Sequence, residues 1–126
     1  MNKFLIIFFG GGLGAVFRYI LSGYVQNKAI TLFPVGTLIV NLTGSFLIGL
    51  IGGIMEYRII PVPFRYFFLI GFLGAFTTFS TYMFETFNLI HTSDYIDAAV
   101  YFISHNFFAI ILVFLGFLVS SFIFNV

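Results

Sequence analysis

An all-α membrane protein, with four transmembrane helices and a break in the third, is predicted on three observations. The chain is 61% hydrophobic and only 7% charged, against about 25% charged residues in a soluble domain, and its mean hydropathy is +1.16. Four apolar runs reach the roughly 17 to 25 residues that a bilayer requires. The third of these runs is interrupted near its middle by glycine and by four hydroxyls, Thr77, Thr78, Ser80 and Thr81. Residues 1–126 read as a single four-span domain, with spans at roughly 4–24, 33–55, 66–90 and 98–124.

The first span follows Met1-Asn2-Lys3, and one basic residue before an apolar run is also how a signal peptide begins. This run continues past the small residues at 10–15 to Tyr24, and three more spans follow, so it is read as a helix that stays. Its small residues, Gly10, Gly11, Gly12, Gly14 and Ala15, mark a face for close packing, because helices in lipid associate through backbone approach and interhelical hydrogen bonds. The polar stretch Gln26-Asn27-Lys28 ends it.

The second span starts at Pro34, where a helix tolerates proline. Residues three and four apart share a face, which aligns Asn41, Ser45, Gly49 and Gly52, with Thr37 one turn before Asn41; Gly44 and Gly53 add further small residues. Glu56-Tyr57-Arg58 and Pro61-Val62-Pro63 separate it from the third span, and His91-Thr92-Ser93-Asp94 separates the third from the fourth. The fourth carries one polar turn, Ser104-His105-Asn106, with Tyr101 four residues before His105 on the same face.

Several function classes are excluded. With no cysteine there is no disulfide framework and no thiolate metal site. A formal net charge of +1 argues against a nucleic-acid partner, whose ligands display basic stripes. No nucleophile, base and orienting group fall together, and no second histidine or acid stands at helical spacing from His105, so neither an enzyme nor a side-chain metal site is predicted.

Loop charges set orientation through excess Lys and Arg on the cytoplasmic side. One side receives Lys3, Arg58 and Arg65, the other Lys28 and Arg18. So small a bias permits insertion in both directions and an antiparallel homodimer, or a single topology decided by Arg58 and Arg65; the count leaves both open. Helices lined with glycine leave little room for water inside one chain, which points to a transport path shared by two copies.

The intramembrane polar residues each carry two readings. Asn41 has two N–H donors and one acceptor, suited to a passing anion or to holding helices together, the commoner use of Asn in membranes. Arg18 lies about 9 Å from the end of its apolar run at 1.5 Å per residue, so it snorkels to a headgroup or raises anion concentration in a vestibule. Glu85 is an intramembrane acid and hence a functional candidate by default, or it pairs with a Thr, a Tyr or Arg18. Phe76, Phe79 and Tyr82 are spaced by three beside the hydroxyls, so their positive ring edges can face an anion or a neighbouring helix. Irregular backbone at 74–78 is tolerated at membrane depth only where protein or water buries it; its freed carbonyls can ligate a cation, or threonine hydroxyls can repair them.

Three blocks resemble the Fluc (CrcB) family of fluoride channels, and the similarity spans the whole chain. They are Gly11-Gly12-Leu13-Gly14-Ala15 with Arg18-Tyr19, Gly36-Thr37-Leu38 with Val40-Asn41 and Gly44, and the stretch from Gly71-Phe72-Leu73-Gly74 through Thr77-Thr78-Phe79-Ser80-Thr81. The resemblance implies a dual-topology antiparallel homodimer in the cell inner membrane, multi-pass, that exports fluoride passively through two pathways flanking a central sodium ion. By position it implies backbone carbonyls of Gly74 and Thr77 as the sodium ligands, and a pore lined by Asn41, Phe79, Ser80, Thr81, Thr37 and Tyr101, with Arg18 in the vestibule. Tyr82 stands where the family has its second pore phenylalanine, adding a hydroxyl that could compete for fluoride or re-aim the ring. A small multidrug exporter of four-span, dual-topology type is the alternative; those rely on an acid in the first span, and none is present here.

Overall fold

The computed structural model describes residues 2–124. Helix α1 (Lys3–Ala29) and helix α2 (Val35–Tyr57) cross first. The third span, Val62–His91, is divided into α3, residues 62–76, and α4 (Phe79–His91). Helix α5 (Tyr95–Phe124) returns last. All four spans are long and apolar enough to cross a membrane, and only 11% of the most apolar stretch of α5 is buried within the chain, so most of its surface faces lipid or another protein.

The helices run past the apolar runs that locate them. Gln26-Asn27-Lys28 lies in the last turns of α1, α3 begins at Val62 and α5 at Tyr95, because apolarity marks the hydrocarbon layer while helical hydrogen bonding continues into the headgroup region. Ile30, in the left-handed conformation with φ 47°, ends α1. Gln26 then braces the connection: its Nε2 donates to the carbonyls of Thr31 (2.8 Å) and Phe33 (3.1 Å), and its Oε1 accepts from the Gly36 N–H (3.1 Å). At the end of α4, Ser93 takes φ 67° and the Asp94 N–H reaches back to the Leu89 carbonyl at 2.9 Å, a Schellman-type stop that satisfies the last free carbonyls.

Glycine decides which helices touch. A Cβ built on Gly14 would lie 3.0 Å from the Phe72 carbonyl carbon, and one on Gly71 2.8 Å from the Ile7 carbonyl oxygen, so α1 and α3 meet backbone to backbone. Gly49 meets the Val113 backbone and Gly116 of α5 meets the Leu50 backbone of α2 in the same manner, while Gly53 receives the Ser120 side chain, and a Cβ built there would lie 3.1 Å from the Phe117 carbonyl oxygen. Within one chain, Gly12 and Gly52 have nothing within 4 Å of where a Cβ would stand. Gly49, in the anticipated stripe, and Gly53, one residue beyond Gly52, both contact α5.

Within α3, residues Arg65–Leu73 form π-helical turns, a wide winding rare in proteins and often found at functional sites. These turns carry the Phe67 and Phe72 carbonyls that lie against Gly10 and Gly14. Two apolar clusters complete the interior, one around Val40, Leu73 and Phe76, the other around Tyr82, Leu89, Ala98 and Tyr101.

Candidate functional site

The third span comes apart at Thr77 and Thr78, both extended, with ψ 154° and 113°. Such a break strands backbone donors and acceptors, and in hydrocarbon each stranded group costs several kcal/mol. Some are met by side chains. The Thr77 hydroxyl donates to the Leu73 carbonyl (2.9 Å), and the Thr78 hydroxyl oxygen caps α4 by accepting from the Thr81 N–H (3.2 Å) while donating to Thr81 Oγ1 (2.9 Å). Asn41, arriving from α2, accepts from the Thr78 N–H through Oδ1 (2.8 Å) and donates to the Thr78 carbonyl through Nδ2 (3.0 Å). Among the described residues no donor reaches the Gly74 or Thr77 carbonyls. The break is thus part repaired by hydroxyls and part left with free carbonyl oxygens.

Beside this break an open groove of about 470 Å³ runs between α2, α3, α4 and α5. Its lining includes Asn41, Ser45, Gly74, Thr77, Thr78, Phe79, Tyr82, His105 and Asn106; no Lys or Arg is among them. Phe79 projects at the rim, 73% exposed, with its ring edge-on to Tyr82 at 5.8 Å. Ser80 and Thr81 are exposed on the first turn of α4.

Tyr82 is buried, and its hydroxyl is held by α5: it accepts from Asn106 Nδ2 at 2.8 Å and points to the Phe102 carbonyl at 3.4 Å. Its ring stacks on His105, centroids 4.0 Å apart and planes 19° from parallel. Asn106, of the polar turn that reads as a polar lining or an interhelical hydrogen bond, both lines the groove and donates across to Tyr82.

Glu85 resolves to the pairing alternative. Thr37 donates to its Oε1 at 2.9 Å and Tyr101 to its Oε2 at 2.6 Å; both donors are buried. In this arrangement the hydroxyl hydrogens of Thr37 and Tyr101 are directed at the carboxylate and away from the groove. Glu85 also borders a second hollow of about 730 Å³, with Gln26, Asn88 and Asp94, at the end of the molecule where α1 meets α2. Arg18, half-buried on α1, lines neither hollow.

Four apolar crossings, the third of them interrupted, define a multi-pass helical membrane protein. The family described as CrcB-like protein, Camphor Resistance (CrcB), matches residues 5–117, and the chain belongs to that family. It is 46% identical over 101 residues to a fluoride-specific ion channel FluC of Maridesulfovibrio salexigens, covering 79% of this chain and 80% of the other. It is 43% identical over 117 residues to the fluoride-specific ion channel FluC 1 of Methanosarcina acetivorans (92% and 88%), and 43% identical over 123 residues to that of Nitrosococcus oceani (97% and 98%).

Proposed function

We propose that this protein is a passive, fluoride-selective ion channel of the cell inner membrane rather than an enzyme, and that it exports fluoride which has entered as the neutral acid and ionised inside. The observation that carries the reading is the groove at the break, furnished with an amide, hydroxyls and aromatic edges and free of Lys and Arg. Fluoride is small and strongly hydrated, so dehydrating it requires closely spaced donors. A fixed cation would hold it too firmly, whereas conduction requires binding weak enough to release. Phe79 and Tyr82 offer ring edges, the positive part of the aromatic quadrupole, Asn41 offers N–H groups, and Ser80 and Thr81, exposed on the first turn of α4 beside the groove lining, offer hydroxyl hydrogens. Fluoride-specific channels 40% to 46% identical to this chain support the same ion.

The groove is open on one side in a single copy, and we extend the proposal to an antiparallel homodimer in which a second copy closes it, giving two pathways. At the centre, Gly74 and Thr77 carbonyls from both copies would hold a sodium ion. The donor set fits, since hard cations take oxygen ligands and these two oxygens have no donor of their own. Such an ion would supply positive charge between the pathways and tie the two broken helices together.

Purified protein in liposomes loaded with fluoride tests the reading: release of fluoride with retention of chloride is expected. Efflux equal to that of empty liposomes would dismiss it.

A further inference from the structure

His105 is buried at the middle of α5, and the role of each atom around it follows from its neighbours. A backbone N–H can only donate, so the Asn41 atom 2.8 Å from the Thr78 nitrogen is the carbonyl oxygen, and the amide cannot be turned over. Its NH2 group can only donate as well, so His105 Nε2, 3.2 Å from Asn41 Nδ2, presents a lone pair. The Tyr101 carbonyl can only accept, so His105 Nδ1, 3.2 Å from it, carries the hydrogen. One tautomer satisfies all three neighbours, the neutral Nδ1–H form. Tyr82 stacks on the ring at 4.0 Å and Tyr101 stands edge-on to it at 4.4 Å, so the imidazole is held in place.

Both hydrogens of Asn41 Nδ2 are thereby engaged, one by the Thr78 carbonyl at 3.0 Å and the other by His105 at 3.2 Å. The first bond belongs to the repair of the broken helix. The second is longer and takes no part in that repair, and Asn41, Thr78 and His105 all line the groove. An anion that draws on Asn41 without undoing the helix repair must take the second hydrogen from His105.

We propose that His105 is a positioning residue and internal competitor: its Nε2 holds the second N–H of Asn41, yields it to a passing fluoride, and recovers it when the ion moves on. This rests on the fluoride-channel reading. Binding then exchanges one acceptor for another instead of adding a hydrogen bond outright, which keeps the ion loosely held at a donor that would otherwise retain it. Removing the competitor should tighten fluoride binding about five-fold, the equivalent of one ordinary hydrogen bond.

Two measurements test this. Wild-type protein labelled with ¹⁵N-histidine is titrated with fluoride and, as control, chloride in lipid nanodiscs, the two histidines being distinguished with His91→Gln. Fluoride should move the His105 Nε2 resonance toward that of a nitrogen without a hydrogen-bond donor, and chloride should leave it unchanged. In bilayer recordings, His105→Gln, which keeps an acceptor, should conduct close to wild type. His105→Leu should show a half-saturating fluoride concentration about five-fold lower and a reduced saturating current. Wild-type protein that conducts fluoride with an unmoved Nε2 resonance overturns the proposal and leaves the channel reading standing, as do Gln and Leu variants with the same fluoride dependence. Should His105→Leu fail to fold, the resonance of the wild type decides alone. Wild-type protein that moves no fluoride overturns both.

Discussion

The Asn41 carboxamide and the Thr78 peptide group close a ring of two hydrogen bonds, Oδ1 to N–H at 2.8 Å and Nδ2 to the carbonyl at 3.0 Å. A side chain on α2 thus replaces the helical bonds that α3 and α4 lose where they separate. It joins the stability of the break to an amide of the groove wall.

Asn41→Ala should therefore lower stability by about 2 to 6 kcal/mol, since it leaves two buried backbone groups unsatisfied at roughly 1 to 3 kcal/mol each. Denaturant titration in mild detergent measures this. Asn41→Asp retains the acceptor but places an anion in the path, and should abolish fluoride current while the dimer persists on size exclusion. Unchanged flux would remove Asn41 from the pathway.

Glu85→Gln replaces a carboxylate that accepts from both Thr37 and Tyr101 with a group having one acceptor oxygen. One charge-assisted bond is lost, worth roughly 1.5 to 3 kcal/mol, and the melting temperature should fall accordingly. A variant that melts with the wild type would show that the two hydroxyls have equal partners elsewhere.

Gly14→Ala and Gly12→Ala differ by two positions on one helix and should differ sharply in outcome. The first drives a methyl group against the Phe72 carbonyl and the second meets nothing within 4 Å. Overpacking costs roughly 1 to 3 kcal/mol, whereas alanine in an open helical position gains up to about 1 kcal/mol over glycine. Thermal unfolding of the pair reads the difference; equal behaviour would contradict the α1–α3 contact.

Tyr82→Phe keeps the ring on His105 and removes only the hydroxyl that Asn106 contacts. Asn106 retains the Phe102 carbonyl at 2.7 Å, so stability should fall by no more than about 1 kcal/mol and fluoride flux should persist. Tyr82→Leu, which loses the stack, should impair flux more. Flux assays on both variants separate the ring from its hydroxyl.

A reporter fused to the C-terminus should be found on both faces of the membrane if two copies pair head to tail. The five basic residues of the chain, Lys3, Arg18, Lys28, Arg58 and Arg65, divide three against two between the ends. A reporter confined to one face would require a parallel pair or a single copy.

Much of this architecture is readable before folding. Apolar length placed the four crossings, and glycine with hydroxyls at 74–78 marked where a break was permitted, because polar backbone in lipid demands local partners; the structure puts it at Thr77 and Thr78. The helix ends were less readable. Gln26 reads as a loop residue by its polarity, yet it is the helical side chain that braces the loop, since carboxamides serve both settings equally well. The π-helical turns of α3 were not read from the sequence either; they lie where α3 packs against α1.

Pairing was the part that composition could not supply. Gly12 and Gly14 are the same residue on the same helix, and the direction each faces depends on where α3 lies. Glu85 had three plausible partners until α2 and α5 brought Thr37 and Tyr101 to its two oxygens. His105 acquires meaning only when Asn41, sixty-four positions away, arrives opposite its Nε2. The bilayer sorts residues by polarity, a property each carries alone, so the number of spans and the site of the break were settled by the order of the amino acids. Hydrogen bonds and backbone contacts are short-ranged and directional, so which polar groups answer one another was decided only when the helices had packed.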